Sequence, residues 1–287
     1  KARMCVTSPP YYGLRDYGGE ENQIGQEQSP EEFIQNLVEV FSLVKDCLTD
    51  DGTLWVNIGD SYYNYRPGKG QSYPKQSVSK TKQDLPDKCN KRGNKLEGLK
   101  EKDLIGIPWM LAFALRADGW YLRQDIIWHK PNPMPESVRD RCTKSHEYIF
   151  LLSKNKRYYY DNEAIKEPAK DWGTRDRTNG KYHNKGTGLS PHTGLSKSYA
   201  KKNKRSVWRV TNKPYKGAHF AVYPPDLIEP CIKAGSKSGD IILDPFMGSG
   251  TTARVARSLN RDYVGCELHE EYRNLIEIPS LDGLIEK

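Results

Sequence analysis

The stretch Asp240–Ala253, DIILDPFMGSGTTA, decides the fold. A strand over Asp240–Leu243 runs straight into Gly248-Ser249-Gly250 and then into a helix from Thr251. Such a turn lets backbone N–H groups and a helix N-terminus approach a ligand closely. No Lys follows the second glycine, so this is not a P-loop. It does satisfy G-x-G-x-x-A, and Glu267 lies 19 residues after Gly248, at the end of the next strand (Tyr263–Cys266). An acidic residue there is well placed to bind ribose hydroxyls. A dinucleotide-dependent dehydrogenase is the obvious rival. Only 37 residues follow Gly250, room for about one more strand and helix, whereas a Rossmann dinucleotide site opens its domain and needs several βα units after the glycines. Asp244-Pro245-Phe246 before the turn makes the signal more specific than a lone G-x-G.

Upstream, strands and helices alternate. Met4–Thr7 reads as a short strand, and Pro30–Leu48 has helical spacing through Phe33, Leu37, Val40, Phe41 and Val44. Thr53–Ile58 is a buried strand, and Asp103–Asp118 a helix with Ile105, Leu111, Ala112 and Leu115 inward. Tyr121–His129 and Glu147–Ser153 read as strands, Pro225–Ala234 as a proline-started helix, and a last helix is expected from His269. This alternation indicates an α/β fold, a mostly parallel doubly wound sheet covered on both faces. Trp55 and Trp109 look like core, and His146 beside Glu147 reads as a strand-edge packing pair rather than a ligand set.

The 287 residues carry a net charge of +8, unevenly spread. Residues 61–102 hold eleven Lys/Arg against four Asp/Glu, and residues 153–216 hold seventeen against five. An acidic body therefore carries two basic inserts, rich in Gly, Ser, Asn, Pro and Tyr, that read as long loops or small irregular subdomains. Lys201, Lys202, Lys204, Arg205 and Arg209 suit a polyanion. Tyr182, Tyr199 and Trp208, interleaved with them, suit stacking on bases. Nucleic acid is the expected partner. Mean hydropathy is −0.82, and no apolar stretch approaches the roughly 18 residues of a membrane-spanning helix. The six cysteines are scattered without a C-x-x-C pair, which argues against a zinc site or a disulfide framework and for a reducing compartment. No secretory leader opens the chain, and its first apolar run begins almost at Lys1, so a further upstream segment is expected.

A second chemical candidate directly follows the first strand: Thr7-Ser8-Pro9-Pro10-Tyr11-Tyr12. Two prolines remove two backbone donors and stiffen the chain. What remains is a set of rigid carbonyl acceptors beside a hydroxyl and an aromatic ring. That set suits a flat, amino-bearing heterocycle: Tyr11 against its face, with the Ser8 hydroxyl and Pro9 carbonyl accepting from the amino group.

Together, TSPPY and DPFMGSGTT resemble S-adenosylmethionine-dependent amino-methyltransferases acting on DNA. The catalytic motif comes first, a basic recognition region lies between, and the cofactor loop comes last. This order resembles the β group of bacterial and phage enzymes, a Rossmann-like methyltransferase in circularly permuted order. HFAVYP (His219–Pro224), IIWHKPNPMP (Ile126–Pro135) and SHEYIFLLSK (Ser145–Lys154) extend the resemblance over nearly the whole chain outside the inserts. It implies that Ser8, Pro9, Pro10 and Tyr11 hold a target base flipped out of the duplex. It implies that Thr7, Asp244, Pro245, Phe246, Gly248, Gly250, Thr251 and Thr252 line the cofactor, that Glu267 takes its ribose hydroxyls, and that His219 and Phe220 close over it. Lys130 and Asn132, in the loop bordering the base pocket, join Lys201, Lys202, Arg205, Trp208 and Arg209 as DNA contacts; no metal is implied. Residues 1–60 become the catalytic-motif half, 61–103 a basic insert, 104–153 the continuing methyltransferase domain, 154–216 the target-recognition region, and 217–287 the cofactor half. The implied partner is double-stranded DNA, with a homodimer and a cognate restriction endonuclease as further partners, in the cytoplasm of a bacterial or phage-infected cell. Within the family Ser at position 8 favours cytosine N4, with adenine N6 the alternative; RNA or protein-glutamine enzymes usually carry Asn there. Tyr12 departs from the Trp that many such enzymes carry. A purely DNA-binding protein would keep the inserts but leave both motifs unexplained.

Overall fold

The computed structural model describes residues 1–13, 23–63, 96, 98–169, 200–212, 223–269 and 276. Most of both basic inserts, Tyr182, Tyr199, His219, Phe220 and the helix expected after His269 lie outside the described residues.

β1 (Ala2–Thr7) leads to α1 (Pro30–Cys47) and β2 (Leu48–Ile58). After the first insert come α2 (Ile107–Ala117), β3 (Tyr121–His129) and β4 (His146–Ser153). The second insert holds the short strands β5 (Glu167–Pro168), β6 (Lys201–Lys202) and β7 (Val207–Arg209). The chain then returns through α3 (Pro225–Gly235), β8 (Ile241–Asp244), α4 (Thr251–Ser258) and β9 (Asp262–Gly265). Among the described residues one sheet of seven strands runs in the order β7-β3-β4-β2-β1-β8-β9. Every strand in it is parallel to the rest except β4, which is antiparallel to both its neighbours.

Period-two burial on both faces explains why the sheet needs two helical layers. Cys5, Leu54, Val56, Phe150 and Leu152 pack with Phe33, Leu37 and Phe41 of α1 and with Leu111 and Leu115 of α2. The alternate residues Met4, Val6, Trp55, Ile149, Leu151 and Ile242 pack with Leu227, Ile228 and Ile232 of α3 and with Val255 and Ala256 of α4. From β1 the chain winds to β2 through α1 on one side, and from β8 to β9 through α4 on the other. The topological switch point therefore falls between β1 and β8. In open α/β sheets that gap, outside the carboxyl ends of the strands, is where ligands bind.

The described part of the second insert is a small ordered unit: β5 pairs with β6, and β7 pairs with β3 so that Trp208 lies opposite Trp128. Trp208 is consequently core, 5% exposed, its indole N–H donating to the Arg205 carbonyl at 2.7 Å. The Lys204 ammonium lies 5.0 Å from its ring centroid. It presents no face for a base to stack on.

The helix layer gives a stability contrast on one element. Leu37→Ala, at a fully buried site, is expected to cost about 2–5 kcal/mol by transfer loss plus cavity. Leu43→Ala, on the same helix but 69% exposed, is expected to change stability by under about 0.5 kcal/mol. Urea denaturation of both variants checks this.

Candidate active site at the carboxyl edge of the sheet

Thr7, the last residue of β1, and Asp244, the last of β8, are both fully buried. The Asp244 carboxylate accepts four hydrogen bonds. Thr7 Oγ1 (2.5 Å) and the Phe246 N–H (3.0 Å) donate to Oδ1. Thr252 Oγ1 (2.5 Å) and Tyr223 Oη (3.1 Å) donate to Oδ2, and the two hydroxyls are themselves in contact. One buried acid thus ties the strand bearing Ser8-Pro9-Pro10-Tyr11 to the glycine turn and to the first residues of α4. Burial pushes its carboxyl above the usual aspartate range. Burial also pushes the Tyr223 hydroxyl well above its ordinary value, so that it stays a donor. Tyr223 belongs to the HFAVYP motif, yet the motif alone assigns it no role, because its partner lies 21 residues downstream.

The turn itself is built for close approach. Gly248 and Gly250 take φ of +53° and +78°, the left-handed region that glycine adopts without strain. The Gly248 N–H donates to Glu267 Oε2 at 2.7 Å, and the His269 N–H to Oε1 at 3.0 Å, so the predicted ribose acid stands directly over the turn. Ser249 Oγ is buried and has no hydrogen-bond partner among the described residues. Phe246, partly buried, faces Phe41 edge-on at 6.5 Å between centroids, and Pro245 is likewise partly buried. Thr251 is buried at the start of α4, where its hydroxyl accepts from Arg254 at 3.2 Å.

At the end of β1, Pro9 is buried and Ser8, Pro10 and Tyr11 are partly exposed. The Tyr11 hydroxyl donates to Glu147 Oε2 at 2.7 Å, and the Asn57 amide donates to the same oxygen at 3.2 Å. Glu147 Oε1 is paired with Lys130. Glu147 therefore belongs to the motif's surroundings, whereas its neighbour His146 points to the other face and packs against Tyr148 at 5.4 Å. Reversal of β4 explains this, because it brings an amino-terminal residue to the edge where the other strands end.

The predicted DNA contacts divide. Lys130 pairs with Glu147, the residue that accepts from the Tyr11 hydroxyl, and Asn132 exchanges two hydrogen bonds with the Asn212 backbone (3.2 and 3.0 Å), which anchors the segment after β7. Arg209 lies opposite His129 on that edge and is exposed. Lys201 and Lys202 belong to the β5–β6 pair, and Arg205 is exposed while pairing with Glu167 at 3.4 Å.

Thr7→Val keeps shape but removes one donor from Asp244. The expected cost is about 2 kcal/mol. Because a raised folded-state value means the folded protein holds this proton more tightly than the unfolded chain does, the group favours folding in acid and loses that contribution as pH rises through its folded value. Removing a donor raises the folded value further. The variant's deficit is thus expected to shrink as pH falls toward the ordinary aspartate range in urea melts; a deficit that does not change on acidification would contradict it.

The model of the family N6_N4_Mtase, described as DNA methylase, matches residues 2–277. The type II methyltransferase M.Cfr9I of Citrobacter freundii is 50% identical over 270 residues, 94% of this chain and 78% of that protein. M.SmaI of Serratia marcescens is 50% identical over 275 residues, 94% and 81%. Among solved structures, the cytosine-N4-specific PvuII DNA methyltransferase superposes with a TM-score of 0.58 at 17% identity, covering 94% of this chain and 76% of that one. A putative DNA modification methylase from Thermus thermophilus, solved with S-adenosyl-L-methionine, superposes with a TM-score of 0.58 at 21% identity, covering 96% and 83%. The motifs at adjoining strand ends, the sheet order and these matches agree: the chain belongs to the N6_N4_Mtase family of DNA methylases.

Proposed function

We propose that this chain methylates the exocyclic amino nitrogen of a base flipped out of duplex DNA, cytosine N4 in preference to adenine N6, with S-adenosylmethionine as donor. The observation that carries the reading is the placement of Ser8–Tyr11 and Gly248–Gly250 at the carboxyl ends of neighbouring strands, joined through Thr7 and Asp244. Residues around the turn fit the donor: two glycines at positive φ, a carboxylate over the turn, and a buried serine hydroxyl with no partner among the described residues. Gly248, Ser249 and Gly250 would hold its amino-acid end, and Glu267 its ribose. Bound there, the cofactor supplies an electrophilic methyl group.

The chain's own task is positioning. An amine conjugated to a ring is a weak nucleophile, because its lone pair is delocalised. Acceptors that draw on its N–H bonds favour a tetrahedral nitrogen, and the Ser8 hydroxyl and Pro9 carbonyl are acceptors of this kind. Correct placement of two reactants contributes on the order of 7–11 kcal/mol in favourable cases. Residues 154–216, with their excess of Lys and Arg, form the target-recognition region in this reading, and Arg209, opposite His129 at the end of β3, is a basic side chain that it brings to that edge. Choice of cytosine rests on Ser8, the residue at the head of the motif.

The test is methyl transfer from labelled S-adenosylmethionine to mixed-sequence duplex DNA, followed by digestion to nucleosides and mass analysis. Labelled N4-methylcytosine is expected. N6-methyladenine would overturn the base assignment, and label in neither would overturn the reading. Ser8→Ala is expected to lower turnover roughly 100-fold, about 3 kcal/mol by analogy with a single oxyanion-hole donor, while cofactor affinity changes little. Equal losses in both would place Ser8 in the cofactor site instead.

A further inference from the structure

The edge of the sheet holds a charged pair that the pairing of the strands does not require. Glu147 and Lys130 side chains are only 13% and 17% exposed. Withdrawing two opposite charges from water is costly before their attraction is counted, and β3 and β4 are already paired from Tyr121–Ser153 to His129–His146, with one register shift between Leu122 and Gln124. The pair is also fixed from outside. Lys130 donates its backbone N–H to the Ser145 carbonyl at 2.8 Å, and its ammonium lies 4.2 Å from the centroid of Trp128. Asn57, 4% exposed on β2, donates both to Glu147 and to the Tyr148 carbonyl at 3.1 Å.

All of this converges on one phenol. Both Glu147 oxygens are occupied, Oε1 by Lys130 and Oε2 by Asn57 and by the Tyr11 hydroxyl at 2.7 Å. The other side of the ring is set by the backbone: a Cβ at Gly59 would lie 2.7 Å from Tyr11 Cε2, so the absence of a side chain there lets the ring lie flat on the end of β2. We propose that Glu147, held by Lys130 and Asn57, is the positioning residue that fixes the Tyr11 ring for the target base. This rests on the reading of Tyr11 as a wall of the base site. It follows that the Tyr11 hydroxyl is turned to the carboxylate while the ring face remains for the substrate. Glu147 acts on the site through the Tyr11 hydroxyl, as a positioning residue. A side chain that is free to swing loses the benefit of pre-set geometry, and that loss appears in the rate of the bound complex.

Three variants test this: Tyr11→Phe, which keeps the ring and removes the hydroxyl, Glu147→Gln, and the double variant. Single-turnover methylation of DNA and S-adenosylmethionine affinity are measured for each. Each single change is expected to slow methylation about tenfold or more, the worth of one hydrogen bond to a charged group, with cofactor affinity within about twofold. The double variant is expected to be no slower than the slower single, because Glu147 acts on the ring through the Tyr11 hydroxyl, which Tyr11→Phe removes, while Glu147→Gln leaves that hydroxyl an uncharged acceptor. Losses that multiply, or a Tyr11→Phe enzyme at full rate, would overturn the proposal. So would a slowed Glu147→Gln whose cofactor affinity falls in proportion, since that is the mark of general damage to the fold. If the unaltered chain methylates DNA and the variants behave independently, the positioning role alone fails. An unaltered chain that labels no DNA defeats the reading on which it rests.

Discussion

A single buried carboxylate is the constraint on which the site depends. Asp244 sits at zero exposure, where an ionised acid survives only if its lone pairs are filled. Two threonines, a tyrosine and one backbone amide fill them. Those donors come from β1, from the residue two places before α3, from the turn after β8, and from the first turn of α4. Satisfying one charge therefore aligns the end of β1 with the glycine turn and the start of α4, the segments that the proposed chemistry uses. Four hydrogen bonds do not fully offset burial, and the carboxyl still binds its proton more tightly than a solvated one. That residual cost is spent at the gap between β1 and β8, where the strand order reverses and a ligand can enter.

From that gap the active edge widens in an orderly way. To one side stand the glycine turn and Glu267, paired through the Gly248 amide. To the other stand Asn57 of β2, Glu147 of β4, and Tyr11 and Lys130 from the segments that follow β1 and β3. The reversed strand β4 makes the second group possible, because it brings its first residues to the place where its neighbours bring their last. The two halves handle different chemistry with the same device, a carboxylate whose oxygens are both committed to protein donors.

Local pattern makes much of this legible. β3 can be read to the residue over Tyr121–His129, and α1 and α3 to within one residue at their ends, because their periodic apolar faces and starting prolines are local signals. Distant contacts hide the rest. The helix expected from Asp103 begins at Ile107, because its N-terminal amides at Gly106 and Ile107 are capped by Asp60, 46 and 47 residues away. β2 begins at Leu48, five residues earlier than its apolar run suggests, since pairing with β1 bridges a register shift that a turn-like TDDG conceals. β7 is three residues long and exists only by pairing with β3, so from sequence Trp208 looks like an aromatic in a basic loop. The two motifs at the site are visible in the sequence; Tyr223, Asn57 and Glu147, which hold them in place, are not, because each acts on a partner far along the chain.

A crystal structure of the chain with S-adenosylhomocysteine and a duplex that it methylates tests the placement at the β1–β8 gap most directly. The cofactor product is expected against Gly248–Gly250 with its ribose at Glu267, and the target base out of the stack against Ser8, Pro9 and the Tyr11 ring. A base left within the duplex, or a cofactor product bound away from the carboxyl ends of β1 and β8, would contradict it.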